Sequence, residues 1–249
     1  MQSELPRIEA CYTPREFHQY EKGFELIVVI DVLRATSAIC AAIENGVKGI
    51  IPVDSVDEAR EYLKKGYLAA AEREGQIVEG FTMGNSPVSF LDPKLKGETI
   101  VLTTTNGTKA IKIAEHKETV VIGSLNNLQS LTEWLIRQER NTLILASGWK
   151  DKFNLEDTIC AGAIIDGVME SGKFASTEDS SVAAKFIYRS AKENIFSYLK
   201  ASSHRRRLRK LNLNADVNFC LTPNNLTAIP ILKDGILVPL KEVENTVET

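Results

Sequence analysis

The chain has 249 residues, of which 43% are hydrophobic and 25% charged, and its formal net charge is -3 at pH 7. This composition is typical of a globular protein that is long enough to bury a substantial core, and it argues against intrinsic disorder. A slightly acidic chain has no general positive field. The balance of charge therefore disfavours nucleic acid as the main partner and favours a small ligand.

The cysteines and the apolar stretches bear on the cellular compartment. Cys11, Cys40, Cys160 and Cys220 are widely spaced and form no CxxC pair, so we interpret them as reduced thiols. The first residues lack the basic, apolar and small-residue succession of a signal peptide. The longest apolar stretch is interrupted at Asp31, far short of the roughly 20 residues that cross a membrane. We therefore expect a cytoplasmic protein without a membrane span.

Short apolar runs rich in β-branched residues recur in the first part of the chain and predict strands that are buried on both faces. These runs cover residues 26–30, 49–53, 99–102, 119–122 and 142–146. Helical patterns at 35–45, 55–65 and 126–138 separate them, and Asp54 is the predicted N-cap of the second. The alternation predicts an α/β fold whose sheet is mostly parallel or mixed, with helices on both faces.

The pattern becomes mainly helical after the last of these strands. Residues 154–170 predict one helix, and residues 178–211 predict a longer helical stretch with a break at 201–203. Residues 226–240 predict a hairpin with an Asp-Gly turn. We thus expect additional C-terminal helices and a final hairpin beyond the α/β part.

No internal repeat or low-complexity linker divides the chain, and we expect one unit over residues 1–249. Small and polar residues cluster at 171–181, which makes this stretch a weak candidate for a boundary between two intimately packed subdomains. The same composition also fits an ordinary loop. The oligomeric state is left open, with a homodimer as one alternative.

Polar side chains follow the first predicted strand directly. Asp31 ends this strand, and Arg34, Thr36 and Ser37 lie at the start of the next helix, where open α/β sheets usually bind ligands. A carboxylate there can hold a metal ion, and a guanidinium can bind phosphate through a planar fork. The alternative is structural, with Asp31 and Thr36 as helix caps and Arg34 paired with a surface acid.

Two later loops also carry residues that suit an anion. In GFTMGNSP, Asn85 and Ser86 add side-chain donors to a flexible backbone, although the same sequence fits a turn that begins a helix. In TTTNGT, Thr105 and Asn106 precede a helix whose first backbone N–H groups would favour phosphate. Neither a Walker A loop nor a GxGxxG fingerprint is present, which weakens nucleotide binding.

The segment FNLEDTICAG combines two acids with a helix start. Glu156 and Asp157 are adjacent carboxylates of the kind that binds Mg²⁺. The structural alternative is a capping box, because Asn154 precedes Asp157 by three residues and acids are favoured in a first helical turn. Cys160 is not interpreted as a nucleophile.

Two residues near the C-terminal end are further candidates. His204 opens the basic run HRRRLRK, which could bind phosphate or an acidic surface, although such runs are usually solvated helical faces. Asp216 would either add a carboxylate to the site or end a helix.

Taken in order, six segments resemble the 2-phosphosulfolactate phosphatase family across nearly the whole chain. They are DVLRATSAI at 31–39, EREG at 72–75, GFTMGNSP at 80–87, TTTNGT at 103–108, FNLEDTICAG at 153–162 and DVNFC at 216–220. The resemblance implies a phosphoric monoester hydrolase. Its reaction would be the Mg²⁺-dependent conversion of (R)-2-phospho-3-sulfolactate to 3-sulfolactate and phosphate, a step associated with coenzyme M synthesis.

From the residues that match, we expect Glu156 and Asp157 to hold Mg²⁺, with Asp31 as a third ligand and Asp216 as a further candidate. Arg34 and the backbone amides of TTTNGT would stabilise the negative charge at phosphorus. Water is the expected nucleophile, since no other phosphatase signature is present, and Asp31 is the alternative. The residues expected to bind the substrate or its phosphate are Thr36, Ser37, Asn85, Ser86, Thr105, Asn106, Gly107, Thr108 and His204.

Other functions remain open at this point. A phosphatase of the same fold could act on another small phosphorylated hydroxy acid. A non-catalytic protein could bind an anionic metabolite and use HRRRLRK to engage a partner. A nicotinamide-dependent dehydrogenase is disfavoured because the glycine fingerprint is missing.

Overall fold

A computed structural model describes residues 5–20 and 22–241, which form a ten-stranded sheet with helices around it. The strands are β1 Ile8–Cys11, β2 Leu26–Ile30, β3 Gly49–Pro52, β4 Leu68–Arg73, β5 Gln76–Ile77, β6 Thr99–Thr103, β7 Thr119–Gly123, β8 Thr142–Ala146, β9 Pro230–Lys233 and β10 Ile236–Pro239. The α-helices are α1 Ala35–Glu44, α2 Val56–Lys64, α3 Gly107–Ala114, α4 Leu128–Gln138, α5 Leu155–Met169, α6 Asp179–Ala191, α7 Ile195–Tyr198, α8 Ser203–Lys210 and α9 Asn214–Cys220.

The sheet consists of two parallel groups that are joined by a hairpin. In the first group β1, β8, β2 and β7 are parallel, and in the second β3, β6 and β4 are parallel. The hairpin β9–β10 pairs antiparallel with β7 on one side and with β3 on the other. These pairings reverse the strand direction between the groups. The predicted α/β fold with a mixed sheet is confirmed.

The hydrophobic side chains show how the two groups are arranged. Because successive strand residues point to opposite faces, Val28 of β2 joins the core beneath α4 and α5, whereas Val29 joins the core around α1 and α3. Ile50 of β3 and Leu102 of β6 also belong to this second core. Full burial of one such side chain stabilises the fold by about 1.5–3 kcal/mol. The helices α1 and α3 therefore lie between the two strand groups.

Three strands and one helix cap differ from the sequence prediction. β1, β4 and β5 were not predicted. In β4 the reason is its sequence LAAAER, whose alanines favour helix and which contains no β-branched residue. The N-cap of α2 is Ser55 and not Asp54, since the Ser55 side chain accepts the N–H of Glu58 at 3.0 Å.

The C-terminal part agrees with the predicted helices and hairpin. The predicted helix at 154–170 is α5, and the helical stretch at 178–211 comprises α6, α7 and α8. The predicted hairpin is β9–β10. The candidate boundary at 171–181 packs on β1, where the buried Glu9 carboxylate accepts the N–H of Thr177 at 2.7 Å. The division of the chain into subdomains stays a prediction.

The four cysteines are buried free thiols, as expected. Among the helices within residues 5–20 and 22–241, none combines the length and hydrophobicity that crossing a membrane requires.

Candidate functional site

The carboxyl ends of strands from both groups meet at a small cleft. It is lined by Asp31, Leu33, Arg34, Glu72, Gly75, Asn85, Thr105, Asn106, Trp149, His204 and Leu208. A larger cavity lies beside α4 and the hairpin, but it is lined by none of the predicted site residues. The small cleft is therefore the candidate site.

Asp31 and Glu72 bring two buried carboxyl groups to this cleft. Burial raises the pKa of Asp31 well above its ordinary value, and the charges of Asp157 and Glu72 raise it further. The Glu72 carboxylate accepts the N–H of Gly75 at 2.5 Å and the N–H of Thr105 at 3.2 Å, which fixes its position. A divalent cation between two such acids would favour the ionised form of both.

Asn85 adds an amide group to the same cleft. The residue is only 5% exposed, and its Oδ1 atom has no hydrogen-bond partner within residues 5–20 and 22–241. A buried carbonyl oxygen without a partner costs free energy, so it needs an explanation. Its place in the lining of the cleft indicates an acceptor for a ligand, a water molecule or a cation.

Arg34 is held in the cleft by a buried acid. Its Nη1 donates to the carboxylate of Asp216, and its Nη2 donates to the carbonyl oxygen of Gly75 at 3.0 Å. The hydroxyl of Ser86 donates to the other Asp216 oxygen at 2.7 Å. The acid that pairs with Arg34 is thus buried and not on the surface, so that alternative is wrong. Asp216 and Ser86 together orient the guanidinium.

Asp157 is surrounded by protein donors. Its Oδ1 accepts the N–H of Val32 at 2.8 Å, and its Oδ2 accepts the N–H of Gly148 at 3.2 Å and the hydroxyl of Ser147 at 3.2 Å. Asn154 donates to Oδ2 at 2.8 Å and accepts the Asp157 N–H at 3.0 Å. The predicted cap at the start of α5 is confirmed. Through these hydrogen bonds Asp157 connects α5 to the loops that follow β2 and β8.

Glu156 is held in a similar way by residues of the basic run and its helix cap. Its carboxylate lies 2.8 Å from Nδ1 of His204 and accepts the Ser202 hydroxyl at 3.1 Å. Burial alone would raise the pKa of Glu156, but the hydrogen bond and the charge of His204, together with a backbone N–H and the Ser202 hydroxyl, outweigh burial and lower it. Because the Glu156 carboxylate accepts a hydrogen bond from Nδ1 of His204, that nitrogen carries a proton. Nε2 is therefore the atom that can exchange a proton or bind a ligand.

The donor set of the cleft can be compared with the needs of a metal ion. Within the described part of the chain, no three His, Cys, Asp or Glu side chains form a group that could hold a metal. The carboxylates of Glu156 and Asp157 are engaged by protein donors, and their role as ligands stays a prediction. Asp31, Glu72 and the unpaired oxygen of Asn85 line one cleft, and oxygen atoms of this kind fit Mg²⁺.

Several predicted phosphate-binding residues shape the loops instead of lining the cleft. Thr36 accepts the N–H of Asp31 at 3.0 Å, Ser37 donates to the carbonyl oxygen of Val32 at 3.0 Å, and Thr108 accepts the N–H of Thr104 at 3.1 Å. By contrast, Thr105 and Asn106 line the cleft. Contact of any of these residues with substrate stays a prediction.

Gly107 is needed where α3 approaches α1. A Cβ atom at this position would lie 2.5 Å from the Cβ of Ala35 and 2.9 Å from Oδ2 of Asp31. The absence of a side chain thus lets the start of α3 contact the acid of the cleft.

Five residues of the lining were not predicted as site residues, namely Leu33, Glu72, Gly75, Trp149 and Leu208. Glu72 lies in the quoted segment EREG, but its strand was not recognised. Its signal is an acid followed by a glycine turn after three alanines. Leu208 lies four residues after His204 in α8, so helical spacing places both on one face.

Comparison with known proteins identifies the family of the chain. The family model described as 2-phosphosulpholactate phosphatase matches residues 11–235. A probable 2-phosphosulfolactate phosphatase of Caldanaerobacter subterraneus subsp. tengcongensis is 40% identical over 215 residues, which cover 85% of this chain and 89% of the relative. The protein of that name from Thermotoga maritima is 39% identical, with 86% and 92% covered. The one from Clostridium acetobutylicum is 35% identical, with 84% and 89% covered. The chain belongs to the 2-phosphosulfolactate phosphatase family and is an enzyme of the phosphatase class.

Proposed function

We propose that the protein hydrolyses 2-phospho-3-sulfolactate to 3-sulfolactate and phosphate with the help of Mg²⁺, and so supplies 3-sulfolactate to coenzyme M synthesis. The observation that carries this proposal is the convergence of Asp31, Glu72, Asn85 and Arg34 on one cleft. Oxygen ligands for a hard cation lie there beside a guanidinium that suits phosphate. The names of the relatives support the substrate.

Asp31, Glu72 and Asn85 are the residues that we propose to hold the cation. When bound, Mg²⁺ would neutralise phosphate oxygens and favour attack by water. This ligand set differs from the one expected from the sequence, because Glu156 and Asp157 already accept hydrogen bonds from the protein. Those two acids would instead support His204 and the loop that follows Asp31.

The remaining residues have roles that follow from their contacts. Arg34, held by Asp216, would bind the phosphoryl oxygens and stabilise the charge that grows on them. Water would attack phosphorus in line with the ester oxygen, so that the P–O bond breaks and the alkoxide takes up a proton. Nε2 of His204 is the atom that we assign to this proton, because Nδ1 is held by Glu156.

Phosphate release from 2-phosphosulfolactate and related phosphorylated hydroxy acids, with Mg²⁺ and with EDTA, tests the reaction. We expect release with Mg²⁺ that EDTA abolishes. The ligand set is tested separately by the shift in melting temperature that Mg²⁺ causes. We expect this shift in the wild type, and its loss in Asp31→Asn and Glu72→Gln, while Glu133→Gln behaves as wild type. No release from any substrate would refute the function, and an unchanged shift in Glu72→Gln would refute the ligand set.

A further inference from the structure

The basic run HRRRLRK forms most of α8, and its arginines differ in what they contact. Arg205 stacks on Phe196, with 3.7 Å between the guanidinium carbon and the ring centroid, and donates to the carbonyl oxygen of that residue. Arg206 is exposed and donates to the carbonyl oxygen of Ala201 at 2.6 Å. Arg209 is exposed as well. These three residues therefore belong to the outer surface or to the packing of α8 on its neighbours.

Arg207 instead borders the cleft. Its guanidinium carbon lies 3.9 Å from the ring centroid of Trp149, which lines the cleft. The ring centroid of His204, in the same helix, lies 5.1 Å from that of Trp149. The Nη2 atom of Arg207 is buried and finds no hydrogen-bond partner in the described residues. A buried guanidinium nitrogen without an acceptor is costly unless a ligand supplies one.

The two other cations near Trp149 and the cleft are held by protein groups. Lys150 also lies over Trp149, at 5.4 Å, but its Nζ pairs with Glu74 at 2.5 Å. That hydrogen bond lowers the pKa of Glu74, and the charges of Lys150 and Arg207 lower it further. Arg34 is already held by Asp216 and Gly75. The cleft thus has one arginine fixed inside and a second at its edge.

We propose that Arg207 is the specificity-determining residue for the sulfonate group of the substrate, with Trp149 as the platform that holds its guanidinium. The inference rests on the proposed function. In 2-phosphosulfolactate the sulfonate is separated from the phosphate ester by a short carbon chain. A planar guanidinium can donate two parallel hydrogen bonds to a sulfonate. Arg207 then distinguishes substrates that carry this group from those that do not.

The test compares two substrates that differ only in that group, 2-phosphosulfolactate and 2-phospholactate, in which a hydrogen atom replaces the sulfonate. We expect Arg207→Ala to lower kcat/KM for 2-phosphosulfolactate about 100-fold, because a buried charged contact is lost. For 2-phospholactate we expect a change of less than about 3-fold. Arg206→Ala and Arg209→Ala are matched controls on the same helix and should leave both values unchanged. For 2-phosphosulfolactate only, the kcat/KM of Arg207→Lys should lie between the values of the wild type and Arg207→Ala.

If Arg207 had a purely structural role, Arg207→Ala would lower kcat/KM equally for both substrates, and that result would overturn the proposal. The melting temperature of each variant shows whether it folds. The affinity of both compounds is also measured by calorimetry in the wild type and in Arg207→Ala. If the wild type hydrolyses neither compound, the proposed function fails, and the calorimetry still decides the role of Arg207. Equal loss of affinity for both compounds, or no loss for either, would refute it.

Discussion

The carboxylate of Asp157 accepts the backbone N–H of Val32 at 2.8 Å, which joins the first turn of α5 to the residue that follows Asp31. The two residues are far apart in the chain. The contact means that an acid of FNLEDTICAG positions a different acid of the cleft, and its removal should disturb the fold as well as the site.

Asp157→Asn should therefore lower stability and not only activity. The amide would place N–H groups against Val32 or against Ser147 and Gly148, all of which are donors. We expect a loss of about 2 kcal/mol in the free energy of unfolding, measured by urea denaturation at pH 8. Asp57→Asn, at a carboxylate that is 90% exposed, should change it by less than about 0.5 kcal/mol. An Asp157→Asn protein with wild-type stability would contradict this reading.

Stability should depend on pH through Asp31. Burial, Asp157 and Glu72 raise the pKa of Asp31 well above 3.8, so the native protein retains a proton that the unfolded chain has already lost. The free energy of unfolding should therefore fall as the pH rises above about 4, and level off once Asp31 is ionised in the native state. Urea denaturation in EDTA over this range measures the slope. Asp31→Asn should reduce the slope without abolishing it, because burial also raises the pKa of Asp157 to about 7. Asp57→Asn should leave the slope unchanged.

Asn85→Ala should separate activity from stability. The unpaired Oδ1 atom of Asn85 is a cost to the folded protein, and its removal deletes that cost. We expect a melting temperature equal to or above that of the wild type, together with a fall in kcat/KM of at least about 10-fold. Asn126→Ala is the contrasting variant. Its Oδ1 atom is unpaired too, but its amide nitrogen donates to the carbonyl oxygens of Phe219 and Thr222, and the loss of these bonds should lower the melting temperature.

Gly107→Ala should damage the site by steric contact. The added Cβ would meet Ala35 at 2.5 Å and Asp31 at 2.9 Å, so α3 must move away from α1. Overpacking of this kind costs about 1–3 kcal/mol. We expect that loss in urea denaturation and a matching fall in phosphatase activity. Lys109→Ala, at an exposed position in the same helix, is the control. Wild-type values for both measurements in Gly107→Ala would show that the two helices separate without cost.

The sequence allowed the strands and loops with strong local patterns to be predicted. β2 and β6 are rich in β-branched and aliphatic residues, and Asp31, Thr105 and Asn106, which follow them, line the cleft. β4 was missed because three alanines carry no strand signal, and with it the position of Glu72 was lost. Tertiary pairing with β6 overrides that weak propensity.

The contacts of the predicted acids could not be read from local sequence. Asp157 has two separate uses, a cap within its own helix and a contact with Val32, and only the first follows from its spacing to Asn154. The partners of Glu156 and Arg34 are His204 and Asp216, each in a helix that follows α5. Pairings between distant segments depend on how the sheet brings them together.

The position of the hairpin β9–β10 also affects the order in which the enzyme is assembled during translation. All other strands of the sheet are synthesised before residues 230–239, yet these residues link the group that carries Asp31 to the group that carries Glu72. A nascent chain that has not yet reached them has both walls of the cleft but no strand between them. Catalytic competence should therefore appear late and abruptly as the ribosome extends the chain.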